Sequence, residues 1–199
     1  LIFLSLSAMA ILLRSDRAKK WVNKFVTKHF QRPSFGYRQV WTDFTRRTAS
    51  ILDERELSRA TATLLSDVLR MLSVSVWLFD DMQERLTVTG STALPSADNS
   101  PALPVATVAR LARLMQNREE PVTLEAAAGN ELTPEDSDLL EQHRVQICAR
   151  LAACQEFLGV LTLGDRVGNE PVTLEDLQLI QTVADQTAGM LLSLRAAER

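Results

Sequence analysis

Two cysteines and two histidines are the side chains of this 199-residue chain best suited to covalent or metal chemistry, and their placement argues against both. Cys148, Cys154, His29 and His143 recur at no metal-binding spacing, so no metal ligand is expected. Thiol redox chemistry needs an attacking thiolate and a resolving thiol. Cys148 sits in an apolar run, where a cysteine serves as a small core residue, and Cys154 lies beside a turn. No glycine-rich phosphate loop is present, so nucleotide is not expected to bind within these residues, and no catalytic residue is assigned. Two cysteines are also too few for a disulfide scaffold, and the chain reads as intracellular.

Non-covalent binding is a different matter. Ser75, Trp77 and Phe79 alternate on one face of a strand-like run, and Thr87 and Thr89 share one face of the next. With Cys148 lining the same space, these six form a candidate small-molecule pocket of aromatic surface and hydroxyl donors. The competing reading is plain core, because Trp and Phe on a strand face are usually buried for packing alone.

The elements that must position these residues follow from periodicity. Composition is globular, with 46% hydrophobic and 24% charged residues, enough to bury a core and exclude disorder. Tyr37, Trp41, Phe44, Thr48 and Ile51 recur at helical spacing and predict a connecting helix. Asp53 and Glu56 form an N-cap pattern before the stripe Leu57, Thr61, Leu64, Val68 and Leu72, which predicts a core-facing helix from Glu54 to about Leu72. Val74–Phe79 and Leu86–Thr89 predict a hairpin, and residues 90–104 a loop. Val105, Val108, Leu111, Ala112 and Met115 predict a helix ending near Asn117, and Val122–Leu124 a short strand. Thr133-Pro134-Glu135-Asp136 opens another helix. Val145–Ala152 and Phe157–Leu163 predict a second hairpin, and Thr173 with Asp176 caps a terminal helix. On that helix Leu177, Ile180, Ala184, Thr187, Leu191 and Leu194 alternate by three and four, a seam suited to a parallel partner helix. The hexapeptide at Glu120–Glu125 recurs at Glu170–Glu175 without further similarity, a coincidence rather than a repeat.

Charge divides the chain unevenly. Residues 1–50 carry ten Lys/Arg against two acids, a net +8, and residues 51–199 carry −11. Leu1–Leu13 has no charge, is too short to span a bilayer alone, and is followed at once by a basic cluster. Residues 1–13 are read as the end of a transmembrane helix leaving into the cytoplasm, with sequence expected upstream because the chain begins at Leu rather than Met. A buried or interfacial helix is the alternative. Residues 14–52 then form a basic juxtamembrane segment with the connecting helix, and residues 53–199 a domain with a C-terminal signalling helix. Nucleic acid is not an expected partner, since an acidic domain repels phosphate.

The order helix, hairpin, helix, short strand, helix, hairpin, long helix resembles a GAF domain. The local resemblance lies in Val74–Asp81, in Phe157–Gly164, and in Thr173–Leu177 with Val183–Ala188. It implies an α+β fold: a five- or six-stranded antiparallel sheet flanked by helices. His29–Pro33, Phe35–Arg38, Trp41 and Phe44-Thr45 resemble the stretch joining membrane and GAF domains in exosortase-associated (PEP-CTERM system) membrane histidine kinases, with Gly36-Tyr37 where Asp-Tyr is usual. That resemblance implies a membrane domain before Leu1, a kinase core after Arg199 that would supply ATP and Mg sites, a homodimer and a response-regulator partner. It places the domain on the cytoplasmic side of an inner membrane. Neither His29-Phe30 nor His143-Arg144 matches a phosphoacceptor, which has an acidic neighbour. The cysteines match neither a GAF-fold free methionine sulfoxide reductase nor a covalent tetrapyrrole site with adjacent Cys and His. The expected function is a GAF sensory or relay domain passing its signal to a kinase core by helix rearrangement, the alternative being the input domain of a diguanylate cyclase or phosphatase. With the terminal seam as dimer contact, Leu191→Glu would weaken self-association, read by light scattering, and leave the fold intact.

Overall fold

Asp53 starts the first domain helix as its spacing predicts, accepting the Glu56 N–H at 2.9 Å. A computed structural model of the chain describes residues 37–80, 85–93, 104–124, 132–168 and 170–198. The readings of Leu1–Leu13, His29 and the basic segment lie outside the described residues. Among the described residues no helix is long and apolar enough to cross a membrane. The elements are α1 (Tyr37–Thr48), α2 (Glu54–Leu69), β1 (Val74–Phe79), β2 (Leu86–Ser91), α3 (Val105–Gln116), β3 (Val122–Thr123), α4 (Pro134–Gln142), β4 (Ile147–Ala153), β5 (Glu156–Leu163) and α5 (Leu174–Glu198). Helix α2 stops short of Leu72 because Arg70 turns into the left-handed region at φ 55°, its N–H returning to the Ser66 carbonyl.

The strands form one antiparallel sheet in the order β2-β1-β5-β4-β3. Strand β5 lies between β1 and β4, and Leu158–Leu163 are buried, so its sequence is a nearly continuous apolar run. Two cores result. Val74, Val76, Leu78, Ile147, Ala149, Leu161 and Leu163 point to the layer of α1, α2 and α5, here the near face. Trp77, Cys148 and Val160 point to α3 and α4, the far face. The fold is thus the α+β, five-stranded antiparallel arrangement expected.

Two glycines set the closeness of these layers. A Cβ at Gly90 would lie 2.4 Å from the Ser58 carbonyl carbon of α2, and one at Gly159 would lie 2.0 Å from the Trp77 carbonyl oxygen of β1. The β4–β5 turn instead carries Cys154 and Gln155 at φ 51° and 67°, the pair of positive φ values of a type I′ hairpin without its usual Asn-Gly.

The terminal seam is corrected by its burial. Ile180, Ala184, Thr187 and Leu191 are fully buried within the domain, and Leu177 and Leu194 are packed against the same core. The three-four alternation is real, but the sheet and α2 occupy the face that a partner helix would need. The Thr187 hydroxyl lies 3.1 Å from that of Thr61 and also donates to the Val183 carbonyl at 2.7 Å. Leu191→Glu is therefore expected to destabilise the domain by about 3 kcal/mol or more through a buried unpaired charge. A circular-dichroism melt checks this; an unchanged melt with a smaller particle mass would restore the seam. In urea titrations Gly90→Ala should cost about 1–3 kcal/mol by forcing α2 off the sheet. Gly189→Ala, with no neighbouring atom within 4 Å of its added Cβ, should add about 0.5–1 kcal/mol of stability.

Candidate functional site

The far face holds four of the six predicted pocket residues. Ser75, Thr162 and Cys148 form one cross-strand row on β1, β5 and β4, and Ser91 of β2 extends it with a 2.8 Å hydroxyl contact to Ser75. The indole N–H of Trp77 donates to the Thr162 hydroxyl at 3.1 Å, so the polar atom of the largest ring is satisfied internally. Phe79 is half-buried at the rim, its ring centroid 6.0 Å from that of Phe157. Burial pushes the Cys148 thiol up to about 12, which keeps it a neutral packing group rather than a nucleophile.

Thr87 and Thr89 do not join this group. Leu78 pairs with Thr87 and Trp77 with Val88, and an irregularity between Val76 and Trp77 leaves Thr89 beside α2, where its hydroxyl donates to Ser58 Oγ at 2.9 Å. Strand register decides which face a side chain takes, and alternation along each strand leaves that register open. Trp77 is 3% exposed and packs in one cluster with Leu111 and Met115 of α3, so the centre of the predicted pocket is filled by side chains. Beside it a smaller cavity of about 280 Å³ lies against α4, lined by Leu124, Leu132, Ser137, Leu140, Glu141 and Val145.

Three polar junctions each bring in an arginine that no local sequence pattern announces. The first clamps the helices over the far face. Asp136 on α4, fully buried, accepts the Arg110 Nε–H of α3 at 2.6 Å, and its second oxygen accepts from the same guanidinium. The Thr133 hydroxyl donates to Asp136 at 2.7 Å and accepts the Asp136 N–H at 3.2 Å, forming a capping box. The Arg110 hydrogen bond is the main cause that holds the Asp136 carboxyl down to about 2, opposed by burial.

The second junction pins the start of α5. Arg166 donates to Asp176 at 2.9 Å while Asp176 and Thr173 exchange backbone-to-side-chain hydrogen bonds at 2.9 and 3.1 Å. At its far end Arg195, 7% exposed, donates from Nε to Glu54 of α2 at 2.5 Å and from Nη2 to the Phe79 carbonyl of β1 at 2.7 Å. The last turns of α5 are thereby tied to the strand end that carries the Phe79 rim. The spacing of Thr173 and Asp176 announced their cap, whereas Arg110–Asp136 and Arg195–Glu54 join residues far apart in sequence and left no local pattern.

The chain belongs to the GAF domain family, whose model matches residues 53–192. Solved structures agree in fold. They include the GAF domain of a phosphoenolpyruvate-protein phosphotransferase from Coxiella burnetii (17% identity, TM-score 0.61, 81% of this chain and 95% of that one). A methyl-accepting chemotaxis protein, residues 122 to 287, matches at 17% identity and TM-score 0.60, over 77% of this chain and 98% of that one. The phycoerythrobilin-bound GAF domain of a cyanobacterial phytochrome matches at 17% identity and TM-score 0.62, over 83% of this chain and all (100%) of that one. No curated protein matches the sequence. As a GAF domain the segment is a regulatory, sensory unit and not a catalytic one.

The clamp has a pH signature. Because the folded carboxyl of Asp136 lies below its ordinary 3.8, its stabilisation is fully present above that value and is lost as pH falls through about 2. Asp136→Asn should remove this acid-side loss and lower stability at neutral pH by about 1–2 kcal/mol, since the guanidinium side of the pair reaches water. Urea titrations of both proteins from neutral to acid pH check it.

Proposed function

We propose that this GAF domain is the cytoplasmic sensory and relay domain of a membrane-bound bacterial histidine kinase, acting in a homodimer. The observation that carries the relay part is the Arg195 junction, which bonds the closing helix α5 to both the start of α2 and the end of β1. In this reading a displacement at the Phe79 rim reaches α5 through this guanidinium as well as through the core that β1 and α5 share. The kinase and membrane parts are supported by the uncharged Leu1–Leu13 run with its basic flank and by the His29–Thr45 stretch. In this reading a kinase core beyond Arg199 holds ATP and Mg and passes phosphate to a response regulator.

The test uses the full-length protein in membranes. Its coding sequence beyond Arg199 should specify a His followed by an acidic residue and then Asn- and Gly-rich nucleotide motifs, and incubation with labelled ATP should give acid-labile protein phosphate. A cyclase or phosphatase domain there, or no label, overturns the kinase reading. Arg195→Gln in that protein should leave basal phosphorylation and abolish its modulation, at a stability cost of about 2 kcal/mol. Glu54→Gln, which removes the other half of the junction, should behave alike.

A further inference from the structure

The hairpin end of the domain carries, in an open recess, a cation with no hydrogen-bonded carboxylate among the described residues. Strand β3 pairs with β4 only through Ile147 and Cys148. Pro121, just before β3, has no N–H with which to extend the ladder toward Ala149–Ala153. The chain instead arrives there from the end of α3. Along this length of β4 lies a recess of about 630 Å³, lined by Gln116, Asn117, Glu119, Arg150, Glu156 and Phe157.

Arg150 is unlike Arg110, Arg166 and Arg195, each of which is bonded to a carboxylate. Its Nε is buried and has no hydrogen-bond partner among the described residues; the Arg166 Nε likewise lacks one, but that guanidinium still reaches Asp176 through Nη1. A half-buried guanidinium without a hydrogen-bonded carboxylate is costly, and an anion held in the recess would relieve that cost. Two carboxylates, Glu119 and Glu156, share the recess. Burial raises the carboxyl of Asp185 on α5, the Gln181 hydrogen bond and Arg150 oppose the rise and Glu119 adds to it, so the charges of the recess are felt on the helix that borders the sheet.

The lining selects among ligand classes. A polyanion such as a phosphate ester meets Arg150 but is opposed by Glu119 and Glu156. An apolar ligand leaves the guanidinium unpaired. A small zwitterion satisfies both signs at once. We propose that the recess binds a free α-amino acid, with its carboxylate on the Arg150 guanidinium, its ammonium on Glu119 or Glu156, and its side chain toward Phe157. This deepens the sensory reading by naming an input, but its measurement is of binding alone, so its failure would leave the kinase reading standing and the reverse is equally true.

The experiment is isothermal titration calorimetry of the 199-residue chain with each standard L-amino acid in turn, with the matching N-acetyl amides, and with acetate. At least one free amino acid should bind with Kd tighter than about 1 mM, while its uncharged N-acetyl amide gives no heat. Arg150→Gln should weaken binding by about tenfold or more, and Arg150→Lys by less, because lysine keeps the charge and loses the planar fork. Glu119→Gln and Glu156→Gln test the ammonium side, and one of them should also weaken binding. Circular dichroism establishes that each variant is folded; should Arg150→Gln fail to fold, the Glu119 and Glu156 variants and the N-acetyl amides decide. The proposal is overturned if no amino acid binds, if acetate binds as tightly as the zwitterion, or if binding survives all three neutralising substitutions.

Discussion

Burial of β1 and β5 on both faces is the constraint from which the rest of the domain follows. Each strand must be apolar at nearly every position, and every polar atom placed on it must find an internal partner. Val74, Val76 and Leu78 face one layer of helices while Trp77 faces the other. The polar exceptions are resolved locally: Trp77 bonds Thr162, and Ser75 bonds Ser91 at the edge strand. Because Trp77 closes the middle of the far face, space for a ligand is left at the margins, where β3 ends early and where α4 meets the sheet.

Much of this was legible from periodicity and end signals. The strand Val74–Phe79, the caps at Asp53, Thr133 and Thr173, and the order of elements all follow from local rules that act within a turn of helix or a pleat of strand. What was not legible depends on register and on pairs distant in sequence. Alternation alone places Thr87 and Thr89 on the face of Trp77, whereas the pairing of Leu78 with Thr87 puts them on the other. The seam on α5 suits a partner helix equally well in sequence, because a helix face matched to a sheet and one matched to a second helix use the same three-four spacing. Only the packing against Thr61 and the near-face core distinguishes them.

Arginine placement divides structure from chemistry here. Arg110, Arg166 and Arg195 each close a junction between elements, α3 to α4, the loop after β5 to α5, and α5 to α2 and β1. In all three the guanidinium meets a carboxylate with the geometry that makes such pairs directional, so these residues fix angles between helices and sheet. Arg150 has the same chemistry without a hydrogen-bonded carboxylate among the described residues. Under the proposal made for the recess, the guanidiniums that fix the scaffold and the one offered to a ligand are thus different residues.

The same energetics restrict how a signal can leave through α5. Peeling the helix from the sheet would expose Ile180, Val183 and Leu191, each 0 or 1% exposed, at about 1.5–3 kcal/mol per large side chain. That total exceeds the roughly 1–3 kcal/mol by which two sites in a protein ordinarily couple. Parting Arg195 from Glu54 and the Phe79 carbonyl is a smaller step, of about 1–3 kcal/mol for a charged hydrogen-bonded group. Beyond it Ala196 and Ala197 are already exposed, so the helix end can shift without uncovering core. In the proposed relay, the output of the domain would therefore be carried by the last turns of α5, pivoting at Arg195, while the body of the helix stays docked as part of the core.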